Sequence, residues 1–221
     1  MRQIMTMKTI FLACCSPVLL VGCATTQTAS SGSDSLVFTG FSQQTDGGQY
    51  HGGTGLVCPP ALMNLPISDQ REYGTDATDA SCSYRAEDQF ATIYFSKLNE
   101  TFQSNFQGSV ASILQGPLGE KTEFDEETTQ TCQLGGLLTA AVTPSEDADG
   151  AKSSEPYAFE TAVFSSSDLV TILQLTELDK KFLKLRYTRL NAPSSEGVNS
   201  CIEGSAALRS VYNLTRERGL R

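Results

Sequence analysis

The chain has few of the side chains that hydrolytic enzymes most often use. Its 221 residues contain one histidine, His51, and no tryptophan. A serine or cysteine nucleophile would therefore have a single imidazole available as its base, and the sequence contains no G-x-S-x-G elbow. The lack of tryptophan also weakens the case for sugar binding. These absences argue against nucleophilic hydrolysis.

Phosphate-loop and zinc signatures are missing as well. The glycine-rich segment 47–55 lacks the Gly-Lys-Ser/Thr ending of a phosphate loop, so we interpret it as a turn before a strand that begins at Thr54. Zinc sites bring two ligands together as Cys-x2-4-Cys, whereas the four cysteines after residue 23 are 24, 50 and 69 positions apart. The sequence therefore predicts neither a metal site nor a cofactor.

Basic residues are outnumbered, and no basic patch is present. The chain has 16 Lys+Arg against 25 Asp+Glu, which gives a net charge of −9. An acidic surface repels the phosphate backbone of nucleic acids and the head groups of anionic lipids. We therefore predict no nucleic-acid partner.

The chain also lacks an apolar run long enough to span a bilayer, which takes about 20 residues. The apolar stretch Thr9–Gly22 is shorter and follows the positive charges of Arg2 and Lys8, an order typical of a secretory leader. The stretch closes with Leu20-Val21-Gly22-Cys23, which resembles the lipobox of bacterial lipoproteins.

This resemblance implies that residues 1–22 form a signal peptide and that Cys23 becomes the lipidated first residue. A permanent anchor needs two or more acyl chains, which lipobox proteins generally carry. Ala24 in place of Asp implies the outer membrane, facing the periplasm, if the cell is Gram-negative. Loss of the leader removes two basic residues and takes the net charge from −9 to −11. The alternative is an ordinary signal peptide in which Cys23 has no role.

Composition divides the rest of the chain into a tether and a domain. Residues 23–35 comprise Cys23 and a segment of Ala, Thr, Ser and Gly that is typical of a flexible spacer. No second linker of this kind follows, so 36–221 is predicted to be a single globular domain. Within it, 143–156 is interpreted as a long exposed loop.

Four cysteines remain in the predicted domain, and an even number in an exported protein is typical of disulfides. Three pairings are possible. We favour Cys58 with Cys82 and Cys132 with Cys201, because the first pair brackets one hairpin-like segment. Each bridge would close a loop whose restriction in the unfolded chain contributes roughly 3 to 4 kcal/mol.

Apolar alternation and turn residues predict strands and two helices. The predicted strands are Leu36–Phe41, Thr54–Cys58, Ser81–Arg85, Phe90–Lys97, Gln130–Val142, Tyr157–Phe164, Asp168–Leu178 and Phe182–Leu190. A helix capped by Asn99 follows the strand Phe90–Lys97, with apolar residues at spacings of three and four up to Gly116-Pro117. A last helix begins near Ser200, which forms a capping box with Glu203.

The fold class predicted from these elements is α+β, with an antiparallel sheet of six to eight strands and two packed helices. Phe90–Asn99 and Phe182–Asn191 share Phe, Leu and Asn at matching positions, and each segment ends a predicted hairpin and leads to a predicted helix. The two halves of the domain are therefore either copies of one unit, or they are alike only because each contains an ordinary strand-to-helix junction.

These observations predict a lipid-anchored cell-envelope protein that is not an enzyme and that contacts an envelope protein or the cell wall. One alternative is a hydrolase that uses paired carboxylates from an acidic segment containing Glu120, Glu123, Asp125, Glu126 and Glu127. Another is a small-ligand carrier with an apolar pocket between sheet and helices.

Overall fold

The structure is a computed structural model that describes residues 40–74, 76–97, 99–117, 119, 122–142 and 159–219. The lipobox with Cys23, the tether, Glu120 and the predicted loop 143–156 lie outside these residues. None of the helices in the described ranges is long and apolar enough to cross a membrane.

An eight-stranded antiparallel sheet with helices confirms the predicted α+β class. The strands are β1 (Phe41–Gln43), β2 (Gln49–His51), β3 (Val57–Cys58), β4 (Ala61–Leu62), β5 (Leu65–Tyr73), β6 (Asp79–Arg85), β7 (Gln89–Lys97), β8 (Glu123–Phe124), β9 (Glu160–Ser165), β10 (Leu169–Leu178) and β11 (Lys181–Leu190). The helices are α1 (Phe102–Gln115), α2 (Glu126–Val142) and α3 (Gly197–Gly219). The large sheet runs in the order β4-β5-β6-β7-β11-β10-β9-β8, and β1-β2-β3 form a small second sheet.

The helices α3 and α1 pack on opposite faces of the large sheet. The core beneath α3 contains Ile172 of β10 with Leu208 and Val211 of the helix. On the other face, Leu173 packs with Ile113 of α1. Because neighbouring residues of a strand point to opposite faces, β10 is buried on both sides.

Two disulfides form the pairs that the sequence analysis favours. Cys58 of β3 is joined to Cys82 of β6, with their Cα atoms 6.3 Å apart, and this bridge fastens the small sheet to the large one. Cys132 of α2 is joined to Cys201 of α3, with a Cα separation of 6.0 Å. All four cysteines are buried.

The predicted strand Gln130–Val142 is wrong, because these residues belong to α2. The helix follows Asp125, whose carboxylate accepts a hydrogen bond from the backbone N–H of Thr128 at 2.9 Å, as an N-cap does. Glu126 and Glu127 place negative charge in its first turn, where the helix dipole favours it. The structure thus has a third helix where the sequence analysis expected two.

Two predicted helix starts are also corrected. The cap of α1 is Thr101, whose side chain accepts from the backbone N–H of Ser104, so Asn99 is not the cap. The last helix begins at Gly197, so Ser200 lies in its first turn and is buried. Glu203 accepts a hydrogen bond from the Tyr187 hydroxyl instead of closing a capping box.

The two segments that share sequence features lie side by side. Strand β7 pairs with β11, and Ile93 stands directly opposite Leu185, with both side chains in the core beneath α3. The helices that follow the two strands nevertheless pack on opposite faces of the sheet. The likeness is therefore confined to the strands.

Candidate functional site

A cleft opens where α1 lies over the sheet beside β7 and β11. Its volume is about 360 Å3, and Leu173 and Ile113 lie among its lining residues. Its polar lining consists of Tyr94, Glu100, Asn105, Ser109, Ser112, Lys184 and Arg186. The cleft is therefore polar and charged, unlike the apolar pocket that a carrier of apolar ligands would need.

Strand alternation positions the two cations of this cleft. In β11 the side chains of Leu183 and Leu185 enter the core beneath α3, so the side chains of Lys184 and Arg186 point to the opposite face. Tyr94 of β7 stands directly opposite Lys184 and shares that face. The residues that build the core thus also fix the direction of both charges.

Lys184 is held firmly in the cleft. Its Nζ donates a hydrogen bond to the Ser109 hydroxyl at 3.0 Å and lies 5.2 Å from the centroid of the Tyr94 ring, within the range of a cation–π contact. Burial lowers the pKa of the Lys184 ammonium, while the Glu100 carboxylate opposes this shift and the charge of Arg186 adds to it. No carboxylate among the described residues lies within ion-pair distance of Lys184.

Arg186 and Asn105 each have a polar atom that is buried without a hydrogen-bond partner. In Arg186 this atom is the Nε–H donor, and in Asn105 it is the Oδ1 acceptor. The Nδ2 group of Asn105 donates to Glu100 at 2.8 Å, which orients the amide. Most buried polar side-chain atoms have partners, so the cleft contains one unused donor and one unused acceptor.

The phenol of Tyr94 adds a second donor to the same face. Burial raises the pKa of Tyr94, and nearby Tyr73 adds to the shift while the charge of Arg186 opposes it. The phenol therefore stays protonated at neutral pH and can donate a hydrogen bond. The described lining of the cleft thus combines two cations with several hydrogen-bond donors, and the Ser109 hydroxyl lies beside the Lys184 amine.

His51, the one histidine, belongs to a different and buried constellation. Its Nδ1 lies 2.9 Å from the hydroxyl of Thr54 and its Nε2 lies 3.0 Å from a carboxylate oxygen of Glu72. The backbone N–H of Thr54 also donates to Nδ1, at 3.1 Å, so we assign the ring proton to Nε2, which donates to Glu72. The order hydroxyl, imidazole, carboxylate matches that of a catalytic triad.

Burial prevents this chain of hydrogen bonds from acting on a substrate. His51 is fully buried and Thr54 is only 2% exposed, and the Thr54 hydroxyl also accepts from the backbone N–H of Leu56. A nucleophile must reach its substrate, which this hydroxyl cannot do. The constellation instead fastens the turn between β2 and β3 to β5, and nothing in the sequence pattern identifies Glu72 as its third member.

The described members of the acidic segment, from Glu123 to Glu127, do not form a carboxylate pair in a cleft. Asp125 uses its carboxylate to cap α2 and to accept a hydrogen bond from the Ser165 hydroxyl at 3.0 Å. Burial opposes ionisation, but the hydrogen bonds from Thr128 and Ser165 prevail, and the pKa of Asp125 lies below its usual value. Glu123, Glu126 and Glu127 are exposed, so the described part of this segment is a capped helix start.

A search for metal ligands finds no cluster of three or more His, Cys, Asp or Glu side chains within the ranges that the structure describes.

Comparison with known proteins does not identify the chain. No family model matches it, and no curated protein does. A solved structure of a mutant of protein Mog1 aligns over 81% of this chain and 92% of that chain, with 13% sequence identity and a TM-score of 0.32. A likeness this weak supports no conclusion about function.

Proposed function

We propose that this chain is a lipid-anchored protein of the cell envelope that works as a non-catalytic binding module. Cys23 carries the anchor, residues 24–35 form the tether, and the domain binds an envelope protein or the cell wall. In a Gram-negative cell the anchor lies in the outer membrane and the domain faces the periplasm.

The two buried disulfides support this proposal more than any other observation. Disulfides form and persist in exported proteins and are rare in the cytosol of most organisms. Here Cys58–Cys82 and Cys132–Cys201 both lie in the main core, where reductants have little access. An oxidising compartment agrees with the leader and lipobox, which were inferred independently from residues 1–23.

A binding role agrees with the distribution of polar groups. The Thr54–His51–Glu72 chain is buried, and Asp125 is used as a helix cap. The cleft beside α1 has charged and hydrogen-bonding side chains at an accessible surface. This arrangement favours binding of a polar partner over catalysis of a reaction on it.

Membrane fractionation of leader variants tests the anchor. We expect Cys23→Ser to abolish labelling by an alkyne fatty acid and to release the protein from membranes. Cys14→Ser and Cys15→Ser are matched controls in the same leader, and both should stay labelled and membrane-bound. A Cys23→Ser protein that still fractionates with membranes would refute the anchor.

In-cell crosslinking with mass spectrometry tests the binding role. A partner in the envelope should crosslink reproducibly to the anchored protein and be lost with Cys23→Ser. If the anchored, labelled protein crosslinks to no protein and to no wall fragment, the binding-module proposal fails even though the anchor stands.

A further inference from the structure

The cleft beside α1 carries concentrated positive charge on an acidic protein. Acidic residues outnumber basic ones by 25 to 16 in the chain, yet Lys184 and Arg186 are adjacent on one face of β11 and both line the cleft. No carboxylate of the described residues forms an ion pair with either cation. Two like charges this close together repel each other, and Glu100 is the one carboxylate among the described lining residues, so the cleft keeps an excess of positive charge that points to an anion that binds there.

The unused hydrogen-bonding atoms show what else the ligand must offer. The buried Nε–H of Arg186 lacks an acceptor, and a carboxylate supplies acceptors in the geometry of a guanidinium fork. The buried Oδ1 of Asn105 lacks a donor. A ligand that satisfies both atoms has an anionic group at one end and an N–H or O–H group nearby.

Glu100 makes the second end of the cleft specific. Its two carboxylate oxygens accept from the Ser104 hydroxyl at 3.0 Å and from the Asn105 amide at 2.8 Å. Glu100 and Asn105 together form an acceptor-rich, negative end, while Lys184 and Arg186 form a positive end. A simple anion such as phosphate matches the positive end alone, whereas an amino acid or short peptide has a carboxylate and an amine or amide N–H for the two ends.

We infer that this cleft binds the carboxyl end of a short peptide, with the carboxylate at Lys184 and Arg186 and a neighbouring N–H at Asn105 Oδ1. The volume of about 360 Å3 lies in the range of sites for small molecules and suits one or two residues. This inference depends on the proposed binding role but not on the lipid anchor, so the two can fail separately.

Calorimetric titration of the purified mature protein with the dipeptide Ala-Ala is the direct test. We expect saturable binding of Ala-Ala and at least roughly tenfold weaker binding of its C-terminal amide, which lacks the charge that Arg186 and Lys184 recognise. Inorganic phosphate serves as the second probe. Binding of phosphate without Ala-Ala, equal binding of Ala-Ala and its amide, or no binding of either peptide would each overturn the inference.

Variants separate recognition from folding. Arg186→Gln and Lys184→Gln should each weaken Ala-Ala binding about tenfold or more. Arg71→Gln is the matched control, because Arg71 lies on the same sheet face but is exposed, is paired with Asp69 at 2.7 Å and is not one of the residues that line the cleft. It should leave the affinity unchanged.

The melting temperature without ligand supplies a readout that a structural role would not give. Arg186→Gln removes a half-buried charge that makes no ion pair among the described residues, so its melting temperature should stay the same or rise while affinity falls. A lowered melting temperature together with unchanged affinity for Ala-Ala would assign Arg186 to folding and refute its place in a site.

Discussion

The two halves of the large sheet differ in how many of their faces are covered. Strand β10 is covered by α3 on one face and by α1 on the other, and nine of its ten residues are buried. Strand β7 is covered on one face, and its buried positions, Ala91, Ile93 and Phe95, alternate with half-buried Thr92, Tyr94 and Ser96. The sequence pattern follows the cover, since a strand buried on both faces is apolar throughout and a half-covered strand alternates.

The difference locates the candidate site. Where α1 ends its cover of the sheet, the outward face changes from Leu173 of β10 to Lys184 and Arg186 of β11, and the cleft forms at this boundary. The face of β7 that carries Thr92, Tyr94 and Ser96 is available for binding, because no helix among the described residues packs over it. We therefore propose that a partner contacts the half-covered part of the domain.

Alanine substitutions at adjacent positions of β10 and of β7 should show the difference between a strand covered on both faces and one covered on a single face. This comparison is expected to give the largest changes in the free energy of unfolding. On β10, both Ile172→Ala and Leu173→Ala should lower the free energy of unfolding by about 2 to 5 kcal/mol, since each side chain is buried beneath a different helix. On β7, Ile93→Ala should cost a similar amount and Thr92→Ala about 0.5 kcal/mol or less. Urea denaturation measures all four values, and equal losses at Ile93 and Thr92 would show that β7 has a second covered face.

In the half-covered region, hydrogen bonds of the buried His51 join the turn between β2 and β3 to β5. His51→Gln should lower the free energy of unfolding by about 1 to 3 kcal/mol, because it leaves buried donors around Thr54 without their acceptor. Glu72→Gln keeps an oxygen that can accept from His51 Nε2, so its cost should be about 1 kcal/mol or less. Urea denaturation compares the two variants. A neutral effect of His51→Gln would show that the turn between β2 and β3 does not depend on the imidazole.

Much of the central fold could be predicted from local pattern. In β11 the apolar residues Leu183 and Leu185 alternate with Lys184 and Arg186. This alternation predicts a strand with one buried face and one face open to solvent. The disulfide pairing was also predicted correctly, because Cys58 and Cys82 bracket one compact segment and leave Cys132 for Cys201.

Two elements could not be predicted, for different physical reasons. Strand β5 is polar, and among its nine residues only Leu65 is fully buried, so its pairing with β6 rather than its own side chains makes it a strand. In α2, Val142 and the Leu-rich stretch before it are equally suited to a buried strand. The carboxylate of Asp125 favours a helix through its local hydrogen bond from Thr128. Its hydrogen bond from Ser165 depends on tertiary contact with β9.

The cleft was beyond sequence reasoning because its parts come from distant segments. Tyr94, Asn105 and Arg186 belong to β7, α1 and β11, and only the order of strands in the sheet brings them together. The alternation in β11 marks its cations as outward-facing, yet it cannot show that α1 lies beside them.

A smaller effect than the core substitutions is expected at the edge of the fully covered half, where Asp125 caps α2 and holds it against β9. The Asp125→Ala variant should be about 1 kcal/mol less stable at neutral pH, whereas Asp125→Asn, which keeps a capping oxygen, should lose less. The hydrogen bonds lower the pKa of Asp125 in the folded protein below the ordinary aspartate value of 3.8. The carboxylate therefore adds stability above that pH, and this contribution disappears as the pH falls through the lower, folded pKa. Chemical denaturation from pH 7 to pH 2 measures the free energy of unfolding of wild type and Asp125→Ala, and the gap between the two values should narrow only at the acidic end. A gap that does not change with pH would mean that packing, and not the charged cap, joins α2 to the sheet.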